Sequence, residues 1–174
     1  MAEAHDYGAE VAELLNDYEI LRVLRHFQVA RVDYAKNVTR YTEIPQERVR
    51  RHIERLREMG LLDIYRNTSI KRTEAKLKKS AEVHKHHTYF MINRKGELAL
   101  KSITPKAYAM HLSPEELALL CRREDRVVSA GATGHLVSMG LVDRELGLTD
   151  LGTQVLDAAR RMHLVRCEGQ RTQL

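Results

Sequence analysis

Residues 45–62 read PQERVRRHIERLREMGLL, and this stretch decides the fold. Pro45 suits the first turn of a helix, where its missing N–H costs nothing. An apolar residue then recurs every three or four positions, which predicts a helix with one buried stripe. The stripe consists of Val49, Ile53, Leu56 and Met59. Gly60 accepts the left-handed conformation that ends helices, so we expect the helix to stop there and run into an apolar strand.

Two more helices are predicted before this one. Asn16 and Glu19 have the spacing of an N-capping signature, and apolar residues at helical spacing follow them. These residues are Ile20, Val23, Leu24 and Phe27. A second, short helix is expected over Val32–Arg40, with residues 41–44 as the turn that leads to Pro45.

A long basic insertion separates the two strands expected after Gly60, at Leu61–Tyr65 and about Thr88–Ile92. It holds seven Lys or Arg against two acids. We expect it to project as a wing or long β-ribbon whose cations lie along the DNA backbone or the minor groove, with its tip at or near Lys71 and Arg72. The other candidates are Arg66, Lys76, Lys78 and Lys79. The alternative is a solvated edge guarded by lysine against aggregation.

An internal repeat organises the chain. The segment LREMGLLD at 56–63 recurs 80 residues later as LVSMGLVD at 136–143. In each copy a Met-Gly helix end precedes a short strand, an insertion, a second strand and a helix capped by Asn93 or Thr149. The repeat therefore predicts two related modules.

The sequence of helices, glycine stop, hairpin and following helix resembles the winged helix-turn-helix superfamily of MarR-like and ArsR-like regulators. Residues 45–62 are similar to a recognition helix that enters the first wing strand, and the chain most resembles archaeal winged-helix proteins without assigned function. The resemblance implies a mainly α fold with small β-hairpins (α+β). It also implies a DNA-binding domain at 17–104, after an N-terminal acidic helix or tail at 1–16.

The exposed faces of the third helix carry the candidate DNA contacts. In a helix-turn-helix such a helix enters the major groove, where Arg reads guanine and Gln reads adenine. The candidates are Gln46, Glu47, Arg48, Arg50, Arg51 and Arg55. Arg55 is either a phosphate clamp or the partner of Glu54 or Glu58. A competing interpretation is that ion pairs within the helix, such as Glu47 with Arg51 and Glu54 with Arg57, only solvate it.

Residues 105–174 are expected to form a reduced winged-helix-like module that is structural or dimerising. Ser113 and Glu116 form a capping box around Pro114. A last helix is predicted from Asp150 to about Leu164. Its apolar face is either a dimer contact or part of the module's own core, and it consists of Val155, Leu156, Ala159 and Met162.

Charge and composition limit the function. The formal net charge is +5, and residues 17–104 alone carry a surplus of +9, which attracts polyanions. An acidic N-terminus and the lack of long apolar runs argue against export and membrane spans, so a cytoplasmic protein is expected. No catalytic or cofactor-binding constellation is recognisable, so we expect no enzyme. His84 and His86 would share one face of a strand, but two ligands are too few for a zinc site, so we expect no metal. The spacing of Cys121 and Cys167 leaves their pairing open.

The sequence thus predicts a double-stranded DNA-binding transcriptional regulator that acts as a homodimer, with no metal or cofactor, no membrane partner and an unknown effector. The alternative is a winged-helix adaptor or scaffold subunit of a larger protein or nucleoprotein assembly.

Overall fold

The computed structural model describes residues 8–67, 76–77, 86–124, 133–145 and 147–167. It is mainly helical with one small antiparallel sheet, which confirms the predicted α+β class. The helices are α1 (Gly8–Asn16), α2 (Tyr18–Ala30), α3 (Ala35–Thr42), α4 (Gln46–Glu58), α5 (Arg94–Ser102), α6 (Pro105–His111), α7 (Pro114–Glu124), α8 (Thr133–Ser138) and α9 (Asp150–Arg161). The strands are β1 (Val32–Asp33), β2 (Leu62–Tyr65) and β3 (Tyr89–Ile92). Within these described ranges, no helix has the length and apolar character that a membrane crossing requires.

The chain folds as two compact units. The first comprises Met1–Leu14 and Glu19–Ser102, and the second comprises Leu15–Tyr18 and Ile103–Leu174. Most of α1 and α2 therefore belongs to the first unit, whereas the joint between these two helices belongs to the second.

Helix α4 buries the predicted apolar stripe in the core of the first unit. Val49, Ile53 and Leu56 are at most 1% exposed. Pro45 is the N-cap residue, one position before the helix, so it ends the preceding turn without removing a helical hydrogen bond. In that turn Glu43 adopts a φ of 59°. The helix that the sequence predicts is confirmed.

The helix expected over Val32–Arg40 is too long at its start. Arg31 ends α2 with a φ of 66°, and the next two residues are extended. The β-branched Val32 pairs with Met91 of β3 instead of joining a helix. Helix α3 therefore begins only at Ala35.

A buried polar cluster holds α2, β1 and α3 together. The Asp33 carboxylate is 2.8 Å from His26 Nε2, and both side chains are almost fully buried. Asp33 also accepts hydrogen bonds from the Asn37 side chain at 2.8 Å and from the Tyr34 backbone N–H at 2.9 Å. The carboxylate thereby satisfies polar groups at the start of α3 and fixes where this helix begins.

The three strands form a sheet in the order β1-β3-β2, with both pairs antiparallel. In the β2–β3 pair, Leu62 faces Ile92 and Tyr65 faces Tyr89. The two predicted strands are thus confirmed within one residue at each end, and β1 is an additional strand.

The two copies of the repeat end a helix in the same way. Gly60 and Gly140 have φ values of 70° and 72°. In each copy the next residue donates its N–H to the carbonyl five positions earlier, from Leu61 at 2.9 Å and from Leu141 at 3.0 Å. This 6→1 bond is typical of a Schellman helix end.

The helix that follows is also capped alike in both copies. The Asn93 side chain donates to the carbonyl of the helix-ending glycine at 2.9 Å and accepts the N–H of Gly96 at 3.0 Å. Thr149 makes the equivalent pair of bonds, at 2.7 Å to the glycine carbonyl and at 3.0 Å from the N–H of Gly152. One hydrogen-bond arrangement is therefore built twice, in units of different insertion length.

The second unit contains the predicted capping box. Ser113 Oγ accepts the N–H of Glu116 at 3.2 Å, and the Glu116 carboxylate accepts the N–H of Ser113 at 2.9 Å. Asn16, in contrast, does not cap α2, because it is the last residue of α1. Its Oδ1 lies 2.8 Å from His111 Nε2 and 3.0 Å from His135 Nε2.

The apolar face of α9 closes the core of the second unit. Val155, Leu156 and Ala159 are at most 1% exposed, and Met162 is partly buried. The alternative that this face is a dimer contact was therefore wrong, because its side chains already pack inside the chain. Cys121 and Cys167 form a disulfide with a Cα–Cα distance of 5.3 Å, which answers the question that their spacing left open.

Candidate nucleic-acid interface

The N-terminal half of α4 presents two arginines whose side chains have no partner in the described part of the chain. Arg50 and Arg51 are exposed, and neither side chain makes an ion pair or hydrogen bond with any residue in the described ranges. Glu47 is also exposed, and Gln46 is half-buried at the first helical position. This end of the helix therefore offers two free guanidinium groups with a neighbouring carboxylate and amide.

One edge of α4 is neutralised by an acid from α2. Arg48 Nη1 donates to Glu19 Oε1 at 2.8 Å, and His52 Nε2 lies 3.3 Å from the other oxygen of the same carboxylate. His52 is half-buried, as the sequence indicated. Arg48, a predicted DNA contact, thus already has an anionic partner within the chain.

Arg55 makes more hydrogen bonds to carboxylates than Arg48 does. It donates two hydrogen bonds to Glu13 of α1, from Nε at 2.5 Å and from Nη2 at 2.6 Å, and a third to Glu58 at 3.0 Å. The bonds to Glu13 and then to Glu58 raise the pKa of Arg55 above its already high value, so the group stays charged. The predicted partner Glu58 is present, whereas Glu13 was not foreseen.

Further along α4, Arg57 pairs with Glu54 of the same helix at 2.8 Å. Three of the five arginines of α4 therefore have carboxylate partners, but only Arg55 and Arg57 have one within the helix, as the competing interpretation required. The pair between Glu47 and Arg51 that it also required is not formed.

The basic insertion lies largely outside the described residues. This applies to Lys71, Arg72, Lys78 and Lys79. Arg66 is exposed directly after β2. The backbone N–H of Lys76 donates to the carbonyl of Ala30 at 3.1 Å, so at this point the insertion lies against the end of α2 and does not stand away as an arm.

An aromatic cluster that the sequence analysis did not identify covers one face of the sheet. Tyr34 stacks on the exposed His87 with ring centroids 4.5 Å apart and contacts Tyr89 edge-on at 5.3 Å. Burial raises the pKa of the Tyr34 hydroxyl, helped by Tyr89 and Asp33. The alternation of side chains along β3 was the sequence signal that could have predicted this cluster. Among the described residues, no group of three His, Cys, Asp or Glu is arranged to hold a metal.

Comparison with known proteins places the chain in a family. The sequence profile of a family described as "uncharacterized protein conserved in archaea" (DUF2250) matches residues 11–103. The match covers more than half of the chain and extends from α1 to the end of α5. No curated protein and no solved structure matches the chain significantly. The chain therefore belongs to the DUF2250 family of proteins conserved in archaea.

Proposed function

We propose that the first unit is a winged helix-turn-helix domain that binds double-stranded DNA, and that the protein is a cytoplasmic transcriptional regulator. The order α2-β1-α3-α4-β2-β3-α5, with β1 at the edge of a three-stranded antiparallel sheet, supports this assignment. In such a domain α3 and α4 are the helix-turn-helix, and α4 enters the major groove.

The observation that carries the proposal is a pair of exposed arginines at the start of α4 that have no side-chain partner among the residues the structure describes. A recognition helix contacts base edges with its N-terminal residues. Arg50 and Arg51 lie there, with Gln46 and Glu47 beside them as possible readers of adenine and cytosine. Arg48, Arg55 and Arg57 are secondary, because carboxylates already neutralise them.

The test is fluorescence anisotropy with random duplex DNA at increasing salt. We expect steeply salt-dependent binding. Replacing both Arg50 and Arg51 by Ala should weaken binding ~10–100-fold and lower the log–log salt slope by about 2, without changing the melting temperature. Arg57→Ala is the matched control, since it removes an arginine of the same helix that is already paired, and its effect should stay below about three-fold. Equal losses in both variants would refute the assignment.

A second candidate is a winged-helix adaptor that binds protein. It is favoured by the charge balance along most of α4, where Glu13, Glu19 and Glu54 neutralise three arginines. Wild-type protein that shows no duplex binding even at low salt would support the adaptor.

A homodimer is part of the DNA-binding proposal, because two-fold partners read spaced half-sites. Its interface must lie elsewhere than the apolar face of α9, which is buried within the second unit. We assign this reduced copy a structural role.

A further inference from the structure

A ladder of ion pairs runs along one side of α4. Arg48, His52 and Arg55 are spaced by four and three residues and therefore share one stripe of the helix surface. Glu19 faces the first two, and Glu13 faces the third. All of these side chains belong to the first unit, and the acids come from elements 29 or more residues earlier in the chain.

A fourth pair extends the ladder beyond α4. Lys95 of α5 donates to Glu10 of α1 at 2.5 Å and to the carbonyl of Met59 at 2.9 Å. The bond from Lys95 holds the pKa of Glu10 below its usual value. Glu10 and Glu13 are three residues apart, so they share one face of α1, and that face is turned towards the cations.

The bidentate geometry at Arg55 shows what kind of ligand could replace the glutamate. A guanidinium group binds two oxygens of a carboxylate or of a phosphate with the same planar fork. Glu13 therefore occupies the fork of Arg55 that a DNA phosphate would take, and Glu19 accepts one hydrogen bond from the guanidinium group of Arg48. In both pairs the arginine is exposed and the glutamate is one-third exposed (33%), so solvent screens the pairs and a polyanion can compete for the two guanidinium groups.

We propose that the carboxylates of α1 and of the start of α2 act as an intramolecular competitor for the DNA backbone. In the free protein they hold Arg48 and Arg55, whereas Arg50 and Arg51 have no side-chain partner within the described ranges. Duplex DNA engages the flank of α4 only by displacing them, so the N-terminal segment limits affinity. This inference rests on the proposed DNA-binding function.

The experiment compares Glu13→Gln with wild type by anisotropy on the same duplex across a salt series. The amide keeps the size of the side chain and removes the charge that competes with phosphate. We expect binding ~3–10-fold tighter at low salt and a log–log salt slope steeper by about 0.9, because Arg55 then neutralises one additional phosphate. Glu19→Gln releases Arg48 and provides the same test should Glu13→Gln melt at a much lower temperature.

Glu97→Gln is the matched control. It removes the same charge from the same unit and breaks another exposed pair, with Arg31, that does not involve α4. Its affinity should stay within about two-fold of wild type with an unchanged slope. If Glu13→Gln behaves like Glu97→Gln, or binds more weakly than wild type, the competitor role is overturned while DNA binding by wild type still stands. If none of the proteins binds duplex, the DNA-binding function itself is overturned, and the inference with it.

Discussion

Gly152 is a position where one added methyl group should strongly destabilise the second unit. A Cβ atom there would lie 2.0 Å from the carbonyl oxygen of Leu141, and a second close approach, at 3.3 Å, would be to Leu148. The obstructing atom is backbone, so no side-chain rotation relieves the clash. Helix α9 would have to move away by more than 1 Å to reach an ordinary contact distance.

The displacement of α9 determines how much Gly152→Ala lowers the free energy of unfolding. Overpacking of this kind costs about 1–3 kcal/mol. It also strains the hydrogen bond from the N–H of Thr149 to Leu141, 3.1 Å long, which is worth about 1 kcal/mol. Alanine gains less than about 1 kcal/mol of helix propensity over glycine. Gly152→Ala should therefore lower the free energy of unfolding by ~2–3 kcal/mol.

The assay is urea and thermal denaturation followed by circular dichroism. Gly134→Ala is the matched control in the same unit, because no neighbouring atom of the described residues lies within 4 Å of its added methyl group. It should leave stability unchanged or raise it by about 0.5–1 kcal/mol. The reasoning is refuted if Gly152→Ala is as stable as Gly134→Ala, since the helix then does not approach the Leu141 carbonyl as closely as described.

Two further predictions concern the second unit. Burial alone would raise the pKa of Glu116, but hydrogen bonds with His135 and Ser113 outweigh burial and lower the pKa below 4.5. A carboxylate whose pKa is lower in the folded state stabilises the protein at neutral pH, and this stabilisation is lost as pH falls through the folded-state pKa. Glu116→Gln should therefore flatten the decline in melting temperature between about pH 5 and pH 3. Parallel pH profiles of the variant and the wild type would contradict this. For the disulfide between Cys121 and Cys167, thiol titration of unreduced protein should find no free thiol, and reduction should cost ~2–4 kcal/mol of stability. Two titratable thiols per chain would disprove the bond.

Local signals were sufficient for the elements whose limits are set within a few residues of sequence. The apolar stripe of α4, the Schellman end at Gly60 and the capping box at Ser113 were all predicted and are all present. Each depends on side chains and backbone groups that are neighbours along the chain. Strand β1 was missed because two residues form a strand only when a distant strand, here β3, supplies their partners.

In the candidate site, too, some features follow from the sequence and others depend on the tertiary structure. The sequence alone determined that α4 carries five arginines and that an acidic segment precedes it, together with the repeat that builds two related units. Only the tertiary structure decided which arginines are free, because Glu13 reaches Arg55 across 42 residues of chain. The burial of the apolar face of α9 and the partner of Cys121 were likewise decided by packing. Hydrophobic periodicity shows which face of a helix avoids water, but the atoms that cover this face come from elsewhere in the fold.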